Sequence, residues 1–222
     1  MGGPAGETDG IRRSFDLLAE DYAEHFFDEL DRKPFDRERL QAFAARCPRD
    51  APVLEIGCGP GHVGRFVAAL DRRVVGLDLS ERSLRIAGRR NPRLAFVGGD
   101  MRALPIQRAS CGALLAFYSL IYFDAAETET ILAEYRRVLR PGAPLLLAVH
   151  AGEGAERFTD YRGTPIDVTL RYHQPEALAD AVRRAGFAVD AVETRPPYEF
   201  EHPTARLYVS ATARDAPPPA ML

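Results

Sequence analysis

Residues 53–61 read Val-Leu-Glu-Ile-Gly-Cys-Gly-Pro-Gly, and this stretch decides the fold. Its apolar residues Val53, Leu54 and Ile56 predict a short strand, and residues 62–70 predict a helix. Three glycines at alternate positions stand between the two. Because glycine lacks a Cβ, the backbone there can adopt positive φ and a ligand can lie directly against it. The stretch therefore predicts a strand, a ligand-contacting turn and a helix.

The spacing of the glycines distinguishes two ligand classes. A dinucleotide-binding turn has its third glycine at the sixth position, where a pyrophosphate meets the helix N-terminus. His62 occupies that position here, and the third glycine is Gly61. With Glu55 two residues before the first glycine, the string Glu-x-Gly-x-Gly-x-Gly resembles motif I of the class I S-adenosylmethionine (SAM) dependent methyltransferases, of the small-molecule type (methyltransferase type 11/25-like). A nicotinamide-dependent oxidoreductase is the disfavoured alternative.

Composition limits the remaining possibilities. A length of 222 residues with 46% hydrophobic content suits a single α/β domain over residues 1–222. A net charge of −3 gives no bulk attraction to nucleic acid or to an anionic membrane, so a small-molecule partner is expected. The three cysteines are isolated and lack a C-x-x-C spacing, which predicts neither a disulfide framework nor a metal site.

No stretch resembles a secretory leader or a long apolar span, so we expect a cytoplasmic protein without a membrane anchor, as a monomer or a homodimer. Residues 1–10 are rich in glycine and polar groups, and residues 214–222 are rich in proline. Both ends are therefore expected to be disordered.

Periodicity assigns the other elements. Apolar residues at positions 11, 15, 18, 22, 26 and 30 predict an amphipathic helix that ends before Pro34, and a second helix over 36–46 completes a helical cover at 11–47. Further strands are predicted at 73–78, 94–97, 112–117, 144–149, 187–193 and 205–212, and further helices at 80–90, 126–139 and 174–185. The resemblance implies a three-layer sandwich around a seven-stranded, mostly parallel sheet of order 3-2-1-4-5-7-6, with strand 7 antiparallel.

The resemblance also implies the residues that contact SAM or its product, S-adenosylhomocysteine (SAH). Asp78 ends the second strand about 20 positions beyond the glycine turn, where an acid accepts hydrogen bonds from ribose hydroxyls. Asp100 would accept from the adenine amino group, and Met101 would cover the ring. The other implied contacts are Glu55, Gly57, Cys58, Gly59, Gly61, Leu79 and Phe117. The alternatives are a helix cap for Asp78 and an ordinary turn for Asp100.

Four residues are candidates for the reacting end. Tyr118 and Tyr122 follow the fourth strand, and His150 ends the fifth. Tyr22 closes a Phe-Asp-x-x-Ala-x-x-Tyr string, and in related enzymes that tyrosine points toward the methionine end of the cofactor. The alternatives are aromatic packing beneath a loop for the tyrosines and a hydrogen-bonding loop role for His150. The first helix is expected to be a lid that excludes water, with permanent packing as the alternative, and residues 151–173 are expected to form a wall of the substrate site.

The implied reaction needs little from the protein. A methyl group on a sulfonium is already activated, so the enzyme must hold an O, N or C nucleophile in line with it and exclude water. A neutral amine needs no base, whereas a hydroxyl of high pKa needs one within hydrogen-bond reach. No Asn/Asp-Pro-Pro-Tyr string follows the fourth strand, which disfavours the branches that methylate nucleic-acid amino groups and protein glutamine. The alternative function is a SAM-binding protein that catalyses a reaction other than methylation.

Overall fold

The computed structural model describes residues 4–215, with side chains from residue 8 onward. Seven strands form one sheet of order β3-β2-β1-β4-β5-β9-β8, and β6 and β7 form a separate hairpin. The strands are β1 Val53–Ile56, β2 Val74–Asp78, β3 Ala95–Gly98, β4 Ala113–Phe117, β5 Pro144–His150, β6 Ala155–Tyr161, β7 Thr164–Arg171, β8 Phe187–Arg195 and β9 Arg206–Ala213.

The sheet confirms the predicted order. Strands β1 to β5 pair in parallel, β9 runs antiparallel to β5, and β8 pairs antiparallel with β9. Without the hairpin, β8 and β9 are the sixth and seventh strands, which gives the order 3-2-1-4-5-7-6 with the seventh antiparallel. The first five strands therefore end at one edge, where a doubly wound sheet binds its ligand.

Helices cover both faces of the sheet, as the predicted three-layer sandwich requires. They are α1 Pro4–Phe26, α2 Pro34–Arg46, α3 His62–Ala68, α4 Glu81–Arg90, α5 Ala125–Val138 and α6 Pro175–Arg184. One apolar core joins α5 and α6 to the sheet, and the other joins α2 and α3 to it. Strands β4 and β5 are buried along their whole length because both cores need their side chains.

The N-terminal helix differs from the prediction at both ends. Disorder over residues 1–10 is wrong for residues 4–10, which form the first turns of α1, and residues 1–3 lie outside the described residues. The helix ends at Phe26 instead of continuing to residue 30, and a 3-10 turn over Glu29–Arg32 follows. At the C-terminus, residues 214 and 215 have no regular structure, and the rest of the tail predicted to be disordered lies outside the described residues.

The segment 151–173, predicted to form a wall of the substrate site, contains the β6–β7 hairpin. Strand β6 is largely exposed and shows no alternation, whereas β7 is mostly half-buried and alternates Ile166, Val168 and Leu170 with polar residues. Arg162 and Gly163 carry φ values of 53° and 84° at its tip, as a two-residue turn that matches the strand twist requires. The hairpin packs on α1, where the backbone N–H of Asp167 donates to Ser14 Oγ over 2.9 Å.

Candidate active site

A cavity that is partly open to solvent lies where β1, β2, β3 and β4 end, and α1 covers it. It brings together most of the predicted residues: Tyr22, Glu55, Gly57, Cys58, Gly59, Asp78, Leu79, Asp100, Met101, Phe117, Tyr118 and Tyr122. Two predicted residues, Gly61 and His150, are not part of its lining.

The glycine turn presents bare backbone to the cavity. Gly57 and Gly59 have φ values of 67° and 51°. A Cβ built on Gly59 would have one neighbour within 4 Å, Tyr22 Cε1 at 3.9 Å, so that position is open toward the cavity. A Cβ on Gly57 would lie 2.2 Å from the Cβ of Ser119, because the loop after β4 packs directly against the turn. Glycine is thus required at both positions, for ligand space at one and for packing at the other.

Gly61, a predicted ligand contact, does not line the cavity and has a packing role in this structure. It precedes α3 with φ 78°. A Cβ there would lie 2.9 Å from the side-chain nitrogen of Asn91 and 3.1 Å from the ring of Phe96. The third glycine of the motif lets α3 start close to α4 and β3, and it does not face the ligand space.

Asp78 is fixed at the end of β2 by backbone donors. Its Oδ2 accepts from the Gly59 N–H and its Oδ1 from the Ser80 N–H, both over 2.8 Å. Burial raises the pKa of this carboxyl, and the backbone hydrogen bonds act in the opposite direction. Ser80, not Asp78, caps α4, because Ser80 Oγ accepts from the Ser83 N–H over 3.0 Å. The carboxylate therefore ties the glycine turn to the end of β2 within the cavity.

Glu55 supplies an unsatisfied acid beneath the turn. Its side chain is 3% exposed, and Oε2 has no hydrogen-bond partner among the described residues. Burial raises its pKa to about 8, and the nearby charge of Asp78 adds to the shift. The side chain packs beneath the turn against α3, with Oε2 2.3 Å from where a Cβ on Gly64 would lie. The bare turn at Gly59 is a feature that the cofactor of the resembled family would fill.

The loop after β3 places Asp100 at the other end of the cavity. Arg102 binds the Asp100 carboxylate, with Nη2 2.7 Å from Oδ2. Burial alone would raise the pKa of Asp100, but the hydrogen bonds from Arg102 outweigh it and lower the pKa. The neighbouring Met101 sulfur accepts from the Tyr135 hydroxyl at 3.5 Å. Asp100 is therefore an anionic acceptor at neutral pH, beside a methionine whose position is fixed.

Aromatic side chains form the wall opposite the turn. The Phe15 ring lies 6.2 Å from that of Tyr22 and 5.3 Å from that of Tyr122, with all three lining the cavity. Burial raises the pKa of Tyr22, Tyr118 and Tyr122 above the ordinary value. These phenols stay protonated at neutral pH, so they can donate hydrogen bonds or provide apolar surface but cannot act as bases.

His150 was predicted among the reacting groups, but it lies behind Tyr118 and does not line the cavity. Its ring packs 5.5 Å from that of Tyr118, and its Nδ1 lies 2.6 Å from Thr204 Oγ1. Burial lowers its pKa to about 3, and the positive charge of Arg206 contributes to the shift. A neutral imidazole of such low basicity supports Tyr118 from behind and is a poor proton acceptor.

Neutral, buried His150 should make folding stability depend on pH. The unfolded chain binds a proton on this histidine below about pH 6.5 and the folded protein does not, so stability falls as the pH drops toward 4. We expect this residue to contribute up to about 1.4 kcal/mol of lost stability per pH unit in that window. Urea unfolding of wild type and His150→Gln between pH 7 and pH 4 measures the difference. Parallel stability curves for the two proteins would show that His150 does not titrate in this way.

Several polar residues that line the cavity were not among the predicted site residues, and His62 and Glu29 are paired with each other. His62 is 7% exposed at the start of α3, and its Nε2 lies 3.1 Å from Glu29 Oε1. The other oxygen of Glu29 accepts from Lys33 Nζ over 2.7 Å. Burial opposes ionisation of Glu29, but the hydrogen bonds from His62 and Lys33 lower its pKa. Glu29 follows α1 in a short turn, and no sequence pattern indicates that this turn lies over the start of α3.

Within residues 4–215, no group of histidine, cysteine and acidic side chains is arranged to hold a metal ion. None of the helices described there combines the length and apolar character needed to span a membrane.

Comparisons with known proteins agree with this geometry. Residues 53–142 match the model of a family described as a methyltransferase domain. A probable S-adenosylmethionine-dependent methyltransferase of Mycolicibacterium smegmatis is 33% identical over 153 residues, which cover 68% of this chain and 56% of that protein. The chain thus spans about half the length of the curated relatives that it matches.

Solved structures show the same fold at low sequence identity. The 1,6-didemethyltoxoflavin-N1-methyltransferase of Burkholderia thailandensis, solved with 1,6-didemethyltoxoflavin and S-adenosylhomocysteine, aligns with a TM-score of 0.75 at 22% identity, over 97% of this chain and 92% of that one. The [4+2]-cyclase SpnF aligns with a TM-score of 0.63 at 21% identity, over 81% of each chain.

The motif and the matched family model agree with the sheet order and with the cavity at its edge. On these grounds, the chain belongs to the class I S-adenosylmethionine-dependent methyltransferases, whose cofactor is SAM.

Proposed function

We propose that this protein transfers the methyl group of SAM to an oxygen, nitrogen or carbon nucleophile of a small metabolite or natural product. One observation carries the proposal: a single cavity joins the bare glycine turn, Asp78 and Asp100 to an aromatic wall that has no other assigned use. The glycine turn with Asp78 and Asp100 suits a nucleoside attached to an amino acid, and the aromatic wall suits an apolar or planar acceptor.

In this proposal, Asp78 accepts from the ribose hydroxyls, Asp100 accepts from the adenine amino group, and the Gly57–Gly59 backbone lies along the methionine part. Glu55 supports the turn from below with its unpaired oxygen. When bound, SAM supplies an electrophilic methyl group. Three aromatic side chains of the cavity, Phe117, Tyr118 and Tyr122, orient the acceptor and the adenosine together with Leu79 and Met101, and they keep water away.

Helix α1 is proposed to cover the bound molecules as a lid. Its residues Phe15 and Tyr22 face the cavity. Asp16 of the same helix accepts from Ser80 Oγ over 2.7 Å, and Ser80 in turn donates its N–H to Asp78. A hydrogen-bonded path therefore runs from the lid through the cap of α4 to the proposed ribose ligand, so that closing the lid and ordering Asp78 would favour each other.

The small-molecule assignment rests on the enclosed aromatic wall and on the fold shared with an enzyme solved with a small heteroaromatic compound. A net charge of −3 favours neither nucleic acid nor an anionic membrane as partner. The described cysteines are buried free thiols, which agrees with a reducing compartment and with the cytoplasmic location that we propose. A monomer or a homodimer remains the proposed assembly.

The ribose assignment predicts the effect of replacing Asp78. Asp78→Asn keeps an acceptor for the Gly59 N–H but removes the charge, so we expect SAH affinity to fall by an amount equivalent to about 1–3 kcal/mol, the scale for hydrogen bonds to charged groups. Calorimetric titration with SAH measures the change. Asp71→Asn, on the exposed turn before β2, is the matched control, and an Asp78→Asn protein that binds like this control would contradict the assignment.

A second function from another class has a specific observation in its favour. The fold is shared with a [4+2]-cyclase, so a chain with this fold can also catalyse a cyclisation. In that case the cavity would hold its substrate on the same aromatic wall, and SAM would be retained without being consumed.

The deciding experiment incubates the purified protein with SAM carrying an isotope-labelled methyl group and with a panel of small phenols, carboxylic acids, amines and heteroaromatic amines. We expect label in at least one acceptor, with an equal amount of SAH formed. Bound SAM that stays intact with every acceptor, while a polyene or another substrate is rearranged, would overturn methyl transfer in favour of the second function.

A further inference from the structure

A buried network of charges and phenols lies behind the methyl-transfer end of the cavity. Of its members, only Tyr118 has a role in the proposed reaction. Its members come from three stretches that are far apart in the chain, 29–36, 118 and 195–208: Glu29, Lys33, Asp36, Tyr118, Arg195, Glu201, Arg206 and Tyr208. The side chains of Asp36 and Arg195 are 0% and 7% exposed, and that of Glu201 is 3% exposed. Burying so many ionised groups costs free energy, which only close pairing and hydrogen bonding among them can offset.

Glu201 is the centre of this network. Its carboxylate binds Arg195 through two hydrogen bonds, of 2.6 and 3.0 Å, and lies 3.2 Å from Lys33 Nζ. Arg206 Nη2 is 3.6 Å away, and the backbone N–H of Tyr198 donates to it over 2.8 Å. Burial would raise the pKa of this carboxyl, but its partners, Arg195 first among them, lower it to about 2. One anion on the loop between β8 and β9 thus holds three cations.

Two arms run from Glu201 to the cavity lining. Through Lys33, the first arm reaches Glu29, which holds His62. Through Arg195, the second arm reaches Asp36, 2.7 Å away, and Asp36 Oδ1 accepts from the Tyr118 hydroxyl over 3.2 Å.

The second arm also fixes the side chain of Tyr118, whose backbone has an unfavourable conformation. Tyr118 has φ 53°, which is uncommon for a residue with a side chain, so it is held there by its surroundings. Tyr208 OH, itself bound by Arg195 Nε at 3.0 Å, lies 3.1 Å from the Tyr118 hydroxyl. Lys33 and Arg206 lie 5.4 and 5.8 Å from the centre of the Tyr118 ring. The network therefore defines where this ring enters the cavity.

We infer that Glu201, outside the cavity, is a positioning residue for the SAM-binding and methyl-transfer end: it fixes Glu29–His62 through Lys33, and Tyr118 through Arg195 and Asp36. This inference rests on the proposed function, because it assumes that these cavity residues contact SAM or its acceptor. It assigns a role in the active site to a loop that lies outside the matched family region of residues 53–142.

The test compares Glu201→Gln with Glu201→Asp and with a matched control, Glu193→Gln. Glu193 also binds an arginine through both oxygens, at 2.9 and 2.8 Å from Arg39 Nη1, but among the described residues this pair forms no hydrogen bond or ion pair with Glu201, Lys33 or Asp36. SAH affinity is measured by calorimetry, and the folded fraction is measured by thermal unfolding followed by circular dichroism. Lys33→Met, which cuts the first arm and also removes the ammonium group 5.4 Å from the centre of the Tyr118 ring, is the second variant should Glu201→Gln fail to fold.

We expect Glu201→Gln to weaken SAH binding by at least about tenfold at a temperature where it is fully folded, and Lys33→Met to weaken it in the same direction. Glu201→Asp should recover part of the loss, and Glu193→Gln should bind within about twofold of wild type. A folded Glu201→Gln variant that binds SAH like wild type would overturn the positioning role. If Glu201→Gln does not fold, a folded Lys33→Met variant with wild-type SAH affinity would overturn it. Wild-type protein that binds no SAH would instead overturn the proposed function.

Discussion

Gly59→Val is expected to reduce SAH affinity by ~100-fold or more, equivalent to about 2.8 kcal/mol, while the protein stays folded. A Cβ at this position would point into the cavity, with Tyr22 as its one neighbour within 4 Å, so the branched side chain would occupy ligand space. The φ of 51° adds backbone strain that lowers stability. Calorimetric titration with SAH and thermal unfolding measure the two effects separately.

Gly142→Val is the matched control for this substitution. Gly142 has φ 74° after α5, and a Cβ there would meet nothing within 4 Å, so it carries similar backbone strain without any ligand nearby. We expect the two variants to lose similar stability, and we expect the Gly142 variant alone to keep SAH affinity. Equal affinity of the two variants would show that the turn at Gly59 is not a ligand contact.

Arg195→Met is expected to lower the free energy of unfolding by about 3–5 kcal/mol, the range for removing one partner of a buried ion pair. The substitution leaves two carboxylates, Asp36 and Glu201, buried without their main cation, and it removes a hydrogen bond to Tyr208. Urea unfolding followed by circular dichroism measures the change.

Arg39→Met serves as the control for the loss of an arginine. Arg39 binds Glu193, whose side chain is 33% exposed, so water can replace the lost partner and the expected cost is below about 1 kcal/mol. If the two variants lose equal stability, the network behind the cavity is not the strongly coupled unit that the geometry indicates.

Much of the fold could be predicted because local pattern and global topology agree. Val53–Ile56 and the glycines after it combine a strand period with a turn that excludes side chains, and this combination fixes the centre of the sheet. The apolar runs of β4 and β5 are long enough to indicate strands buried on both faces. The hairpin over 155–171 is harder to predict because β6 is largely exposed and lacks apolar alternation, so that only β7, with Ile166, Val168 and Leu170, carries a strand pattern.

The candidate site was predictable where the chain enters the cavity directly from a strand end. Asp78 and Asp100 follow β2 and β3 at the edge where parallel strands place their ligands. His150 also ends a strand, but β9 runs antiparallel beside β5, and the loop that carries Thr204 before β9 holds the imidazole away from the cavity. Such a displacement depends on contacts between residues 54 positions apart, which no local pattern contains.

The same limit applies to His62 and Glu201. His62 follows the glycine motif directly, but its contact with Glu29, 33 positions earlier, forms only when α1 is folded over the sheet. Glu201 lies in a loop whose sequence suggests a simple connection, and its importance comes from three cations brought to it by the residue before α2, by β8 and by β9. Charge networks of this kind can be read from a structure and not from spacing.

The central claim, that the cavity at the strand ends holds SAM and not a dinucleotide, is tested most directly by titrating the wild-type protein with SAH and, separately, with NADH and NADPH in a calorimeter. The cavity predicts one saturable SAH site per chain and no heat of binding for either dinucleotide. Saturable binding of NADH or NADPH without binding of SAH would contradict it.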